Sequence, residues 1–308
     1  MGWWSVLADH SSTANPPATL ATRRAEALGS RLPPLMVAAE RVASTVAQGV
    51  HGRRRVGQGD SFWQFRRFVT GDPVNRIDWR QSAKSGQSAP DGWFIRETEW
   101  EAAQTVCLWR DSSASMHWRR GAAVEKHERA SLLLLALASL LLRGGERILP
   151  MNPGMRPVAG RFGLEYIAAD LMAHQGGDDA GLPPDVPVPR HATVVLIGDF
   201  LSPLPDVQAL LARLAATPSS GYLLQVLDPA EAALPYAGRI RFRGLEQEGE
   251  TVIPRAEAIR GAYANALKAH QDGLAAICAA AGFGFGMHLT DRSPEAALLS
   301  LYTALGRT

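Results

Sequence analysis

The stretch TVCLWRDSSASM, residues Thr105–Met116, decides the fold of this chain. It begins as an apolar run typical of a buried strand, ends that run at Asp111, and continues with three serines within four residues. A second strand of the same kind, ATVVLIGDF at 192–200, ends at Asp199. Nearly continuous apolar strands are typical of a parallel sheet that helices cover on both faces. Two such strands predict that kind of sheet at the centre of the molecule.

Around these two strands, strand and helix patterns alternate along the chain. Further strands are predicted at 146–151, 221–228 and 285–290, with an edge strand or hairpin at 238–246. Helices are predicted at 122–143, 163–174, 205–216, 257–280 and 294–305. The alternation predicts an α/β fold of Rossmann type, in which helices flank a mostly parallel central sheet.

Composition divides the chain into three parts. Residues 1–27 are rich in Ala, Ser, Thr and Pro and are predicted to form a flexible tail. Residues 28–100 combine a helix pattern with an arginine-rich aromatic stretch and are predicted to pack on the main domain. Residues 101–308 form that main domain.

Charge, cysteine content and apolar runs indicate the class of protein and its location in the cell. The formal charge of +2 gives no argument for nucleic acid, and Cys107 and Cys278 are expected to be reduced, packed thiols. The longest apolar run, at 130–142, is shorter than the roughly 20 residues that a membrane span needs. The opening residues lack the basic start and apolar core of an export signal. We therefore expect a cytoplasmic protein without a transmembrane segment.

The acids at the two strand ends predict a ligand site. In open parallel sheets, ligands lie beyond the carboxyl ends of the strands, where the strand order reverses. If the two strands are neighbours, Asp111 and Asp199 converge with the hydroxyls of Ser113 and Ser115. Hard oxygens of this kind suit Mg²⁺ or Mn²⁺. The competing interpretation is a helix-capping loop, because Ser and Asp favour turns and N-caps.

Two stretches resemble known families. DSSAS, at 111–115, resembles the metal-ion-dependent adhesion site (MIDAS) of von Willebrand factor A domains. RRFVTGDPVNRIDWRQSAK at 66–84, followed by FIRETEWEAAQTVCLWRDSSASM at 94–116, closely resembles the DUF58 family, and the resemblance covers roughly residues 30–305. The signature residues that carry the second resemblance are Gly71, Asp72, Arg76, Asp78, Trp79 and Lys84.

The resemblance implies a von Willebrand A-like domain that works with MoxR-type AAA+ ATPases in chaperone-like activation or assembly of other proteins. In such sites two serines hold the ion directly, two acids act through water, and a threonine completes the protein ligands. A carboxylate of the partner then fills the open position. Carried over, these roles fall on Asp111, Ser113, Ser115 and Asp199. The loop at 175–185 has no threonine, which leaves Asp178 or Asp179 as its substitute.

Three functions therefore compete. The leading hypothesis is a non-catalytic binding protein, with any ATPase activity supplied by the partner, because the chain has no Walker lysine motif. The second is a metal-dependent phosphoesterase that uses Asp111, Asp178 and Asp199. The third is nucleic-acid binding through GRRRVGQGDSFWQFRRF at 52–68, which mixes arginines with aromatic residues. The same segment also fits a structural collar, in which the aromatic residues pack and the arginines pair with nearby acids.

Overall fold

The computed structural model describes residues 35–47, 62–70, 72, 74, 77–84, 92–98, 104–120, 124–160, 162–174, 181–243 and 249–305. The N-terminal elements are helix α1 (35–47), strand β1 (Phe62–Arg67), helix α2 (Trp79–Lys84) and strand β2 (Phe94–Thr98). The main domain follows as β3 (Thr105–Arg110), a 3₁₀ turn (Ala114–His117), α3 (Lys126–Arg143), β4 (Arg147–Pro150), α4 (Gly163–Ala173), β5 (Thr193–Gly198), α5 (Leu204–Ala215), β6 (Ser220–Leu227), α6 (Pro229–Ala233), β7 (Ile240–Arg243), β8 (Glu250–Ile253), α7 (Ala256–Ala280), β9 (Phe283–Leu289) and α8 (Pro294–Leu305).

Five strands form the central sheet in the order β4-β3-β5-β6-β9, and every neighbouring pair is parallel. The chain steps outward from β3 to β4, returns past β3 to β5, and continues to β6 and β9. The strand order therefore reverses between β3 and β5. This arrangement confirms the predicted α/β fold with a parallel central sheet flanked by helices, and it makes the two predicted site strands direct neighbours.

Apolar side chains fill the space on both faces of the sheet. On one face α1, α3, α4 and α8 share a core, and Leu133, Leu135 and Leu137 of α3 are completely buried in it. On the other face α5 and α7 pack through residues such as Val207 and Leu274. Because helices cover α3 on several sides, the apolar run at 130–142 is core. In the described part of the chain, we find no helix whose length and apolar character would suffice to cross a membrane.

Helix α1 contributes directly to the main core. Ala39, Val42, Ala43 and Val46 recur at helical spacing and are buried against the same cluster as α3. The Ser139 hydroxyl donates a 2.8 Å hydrogen bond to the carboxylate of Glu40, which also pairs with Arg143. These contacts place α1 on the outer side of α3.

The described signature residues shape a turn and a short helix. Asp72 accepts a 2.9 Å hydrogen bond from the backbone N–H of Val69, and Asp78 accepts one of 2.9 Å from Gln81 at the start of α2. The Trp79 ring meets Trp93 edge to face. Lys84, also in the signature, ends α2.

Two signature residues, Gly71 and Arg76, lie outside the described residues, as do Arg53, Arg54 and Arg55 of the arginine-rich stretch. The ring contacts of Phe65 with Phe94 and of Phe68 with Trp93 fit the aromatic packing of the collar interpretation. Both the pairing of the arginines with acids and the nucleic-acid alternative stay predictions.

Two element boundaries differ from the sequence prediction. Helix α3 begins at Lys126 instead of residue 122, because Glu125 is in an extended conformation. Strand β9 begins at Phe283, two residues earlier than predicted, since Gly284 and Gly286 act as strand residues. A Cβ at either glycine would overlap the Tyr222 side chain of β6. The predicted edge strand or hairpin at 238–246 contains β7, which pairs antiparallel with β8 beyond that range and outside the central sheet.

Candidate functional site

The carboxyl ends of β3 and β5 form a crevice that holds Asp111 and Asp199. The backbone N–H of Asp111 donates a 2.8 Å hydrogen bond to Ile197, which extends the β3–β5 ladder to the acid itself. Asp111 is completely buried and Asp199 is 4% exposed. A Cβ on Gly198 would lie 2.8 Å from the Cβ of Asp111, so the glycine makes room for the acid. The tight fit fixes the Asp111 side chain against β5.

A chain of hydrogen bonds links the four predicted residues of the crevice. The backbone N–H of Ser113 donates to Asp111 Oδ1 at 2.8 Å, a turn that short acidic side chains favour. The Ser113 and Ser115 hydroxyl oxygens are 3.1 Å apart, and the Ser115 hydroxyl donates to Asp199 Oδ2 at 2.7 Å. The structure therefore brings Asp111, Ser113, Ser115 and Asp199 together at one point.

A fully buried lysine, which the sequence analysis missed, borders the crevice. Lys126 Nζ donates to Asp199 Oδ2 at 2.9 Å and to Glu231 Oε1 at 2.7 Å. Burial by itself lowers the pKa of Lys126, but the charges of Asp199 and Glu231 and the hydrogen bonds that Lys126 donates to both outweigh it and raise the pKa above its ordinary value. The lysine is therefore a permanent internal cation beside Asp199.

Strand β6 and helix α6 hold this second group of residues in place. Asp228 accepts a 2.7 Å hydrogen bond from the N–H of Ala230, and Glu231 Oε2 accepts one of 2.9 Å from the N–H of Asp228, which together form a capping box. The Gln225 amide donates to the backbone oxygen of Asp199 at 2.8 Å. The sequence DPAE at 228–231 carries a recognisable helix-start signal, whereas Lys126 has no local signal.

The oxygens in the crevice match the preferences of a small divalent cation. Octahedral Mg²⁺ binds oxygens at about 2.0–2.1 Å, which places adjacent ligand oxygens about 3 Å apart. The 3.1 Å separation of the Ser113 and Ser115 hydroxyl oxygens has this value. Because Ser115 directs its proton to Asp199, it accepts the Ser113 proton with one lone pair, and its second lone pair remains for a cation. The residues present therefore fit Mg²⁺ or Mn²⁺.

Carboxylates alone do not make a metal centre here. Among the residues that the structure describes, no three His, Cys, Asp or Glu side chains gather around one point. A cation in the crevice would therefore depend on the serine hydroxyls. Asp178 and Asp179, the substitutes predicted for the missing threonine, lie outside the described residues. The third acid of the phosphoesterase hypothesis thus stays a prediction.

Comparison with known proteins identifies a family and several uncharacterized relatives. A family model described as "Protein of unknown function DUF58" matches residues 64–273, a range that includes β3, β5 and Lys126. The uncharacterized proteins Mb1516 of Mycobacterium bovis and Rv1480 of Mycobacterium tuberculosis are each 26% identical to the chain over 261 residues, with 80% of both sequences covered.

Two solved structures also match the chain. An aerotolerance-related membrane protein from Bacteroides fragilis has 17% identity and a TM-score of 0.36, and BatB from Bacteroides thetaiotaomicron has 16% identity and a TM-score of 0.33. Each match covers 67% of this chain and 100% of the other.

Proposed function

We propose, for a chain that belongs to the DUF58 family, a non-catalytic role as a binding protein. In this proposal the main domain is von Willebrand A-like, and its strand-end crevice holds Mg²⁺ or Mn²⁺ in a MIDAS-like loop. An acidic group of a protein partner then binds to the cation.

One observation carries the proposal. At the point where the strand order reverses, Asp111 accepts from the backbone N–H of Ser113, and the Ser113 and Ser115 hydroxyls continue the chain of hydrogen bonds to Asp199. Ser113 and Ser115 would hold the cation through their hydroxyl oxygens, with the two aspartates placed to support it. When bound, such a cation supplies a positive charge that a partner carboxylate can approach.

The contacts of the crevice favour binding over catalysis. A serine nucleophile needs a positioned base, but the hydrogen bond of the Ser113 hydroxyl is to another hydroxyl, that of Ser115. Asp199 Oδ2 is engaged by both Ser115 and Lys126. These residues are arranged to hold one another in place, as a binding site requires.

The partner in this proposal is a MoxR-type AAA+ ATPase, and the two proteins act in the cytoplasm in chaperone-like assembly or activation of other proteins. The support comes from the family resemblance and from the lack of a Walker lysine motif in the chain. ATP hydrolysis then belongs to the partner, and this chain supplies the recognition surface.

Calorimetric titration with Mg²⁺ and Mn²⁺ tests the cation. We expect Ser113→Ala and Ser115→Ala to weaken binding at least tenfold. Ser202→Ala is the matched control, because Ser202 follows β5 at the same edge of the sheet and stands outside the Ser113–Ser115–Asp199 chain of hydrogen bonds. If neither ion binds at millimolar concentration, the metal part of the proposal is wrong.

Capture of a purified MoxR-type ATPase by the immobilised chain tests the partner. Capture should require Mg²⁺ or Mn²⁺, fall on addition of a chelator, and fall equally with Ser115→Ala. Capture that ignores the chelator would contradict the cation bridge, and no capture at all would remove this partner.

A further inference from the structure

We propose that a second site, separate from the crevice, binds a small aliphatic carboxylate through the buried guanidinium of Arg110. The site is a pocket of about 420 Å³ at the carboxyl ends of β3 and β4, bounded by α3 and α4. Ligand pockets in proteins span about 300–1,000 Å³, so this volume is sufficient for a small organic molecule.

Arg110 is the buried cation in the lining of this pocket. It is 5% exposed, and its two terminal nitrogens donate to the backbone oxygen of His174 at 2.8 Å and to the Ser131 hydroxyl at 3.3 Å. Its Nε is buried without a hydrogen-bond partner, and within the described residues Arg110 forms no ion pair. A buried charge without an ion pair costs free energy. A guanidinium has five N–H donors, and the two hydrogen bonds above use two of them. Nε is sealed from the pocket, so the remaining N–H groups of the terminal nitrogens are the ones available to an incoming anion.

Asp111 and Asp170 act on this cation as nearby negative charges, but residues other than Arg110 hold the Asp170 carboxylate. Asp170 accepts a 2.7 Å hydrogen bond from the Asn152 amide, and its second oxygen lies 3.2 Å from His174 Nδ1. Burial raises the pKa of Asp170, against the hydrogen bond from Asn152 and the nearby charges of His174 and Arg110. Burial also lowers the pKa of Arg110 to about 10, against Asp111 and Asp170, so the guanidinium remains charged at neutral pH.

The remaining walls of the pocket select an aliphatic ligand. Its lining includes the apolar side chains of Leu108, Leu134, Ile167 and Leu171. A carboxylate that meets Arg110 can therefore place a hydrocarbon chain against these residues. Apolar walls with a few polar groups that fix orientation are the usual composition of small-molecule sites.

The pocket and the crevice share a loop but use different residues. Ser112 lines the pocket, whereas Asp111, Ser113 and Ser115 are not part of its lining. Binding of a carboxylate at Arg110 therefore does not require the cation of the proposed function, and each site can be tested without the other.

Titration with hexanoate and with hexanamide, which has the same size and no charge, tests the proposal by NMR or calorimetry. We expect hexanoate to bind at least tenfold more tightly than hexanamide. Arg110→Gln should lower the hexanoate affinity at least tenfold and remove the preference over the amide. Arg241→Gln is the control, because Arg241 is an arginine on the β7–β8 hairpin with a side chain 71% exposed. It should change neither affinity.

A second variant keeps the test decisive if Arg110→Gln does not fold. Leu171→Phe fills the pocket without touching the charge, so it should weaken both probes, while Ser115→Ala in the crevice should leave hexanoate binding unchanged. Equal affinity for hexanoate and hexanamide in the unaltered protein would overturn the proposal. So would the absence of hexanoate binding at tens of millimolar, or hexanoate binding that survives Leu171→Phe.

Discussion

Replacement of Lys126 by methionine should strongly destabilise the protein. The substitution keeps the unbranched apolar stem of the side chain but leaves Asp199 and Glu231, whose side chains are 6% and 18% exposed, without their cation. Removal of one partner from a buried ion pair costs about 3–5 kcal/mol. Asp199 and Glu231 keep their hydrogen bonds from Ser115 and Asp228, so we expect a loss near the lower limit, about 3 kcal/mol.

Urea unfolding at neutral pH measures this loss as a lower transition midpoint with an unchanged slope. Lys268→Met is the matched control, because Lys268 is 74% exposed and pairs with Asp272 on the surface of α7. Exposed pairs contribute about 0–1 kcal/mol, so this variant should differ little from the parent. A variant that also carries Asp199→Asn and Glu231→Gln should regain stability, since the buried charges are gone. A loss at Lys126 no larger than that at Lys268 would refute the buried ion network.

Three other features of the structure also predict measurable changes in the stability of the protein. Gly198→Ala would place a Cβ 2.8 Å from the Cβ of Asp111, so urea unfolding should show a loss of about 1–3 kcal/mol; unchanged stability would contradict the close approach. Asp228→Ala removes the cap of α6 and should cost about 1 kcal/mol, seen as a melting temperature lower by about 2 °C; an unchanged melting temperature would count against the cap. Burial, and then the charge of Arg129, lower the pKa of His288 to about 4, against Asp291. Since an unfolded histidine titrates near pH 6.5, the unfolded state binds the proton first, and stability falls by up to about 3 kcal/mol as the pH drops from about 6.5 toward 4. His288→Gln should flatten that part of the urea-derived stability curve; a variant curve parallel to the parent curve would show that His288 does not cause the slope.

The sheet was predictable because its strands carry their own pattern. The residues of β5 are buried at every position, and the apolar run that predicts this strand ends at the acid of the site. Ligands in parallel sheets lie beyond the carboxyl ends of the strands, so Asp111 and Asp199 could be predicted to lie at the same edge of the sheet. The hydroxyl chain through Ser113 and Ser115 follows from local spacing, since a turn stabilised by Asp111 directs alternate side chains the same way.

The missed features depend on partners that are distant in sequence. Lys126 and Glu231 are joined only by the fold, and a lysine at the start of a helix pattern gives no sign that it is buried. Helix α3 begins only after the extended Glu125, whereas the pattern of helix-forming residues placed its start earlier. The predicted strand left out Gly284, because glycine favours turns, yet a Cβ at this position would overlap the Tyr222 ring, so the glycine leaves the space that the ring needs.

The charges at the ends of β3 and β5 connect the crevice and the lysine. Asp111 and Asp199 are buried and Glu231 is half-buried, while Lys126 is the buried cation that pairs with Asp199 and Glu231. With these groups ionised, three carboxylates face one cation, and the formal balance is the charge that one divalent ion neutralises. A monovalent ion would leave the crevice negative and repel a partner carboxylate. On the proposed function, a divalent ion is therefore needed before an acidic partner can approach, and the partner in turn holds the ion more tightly.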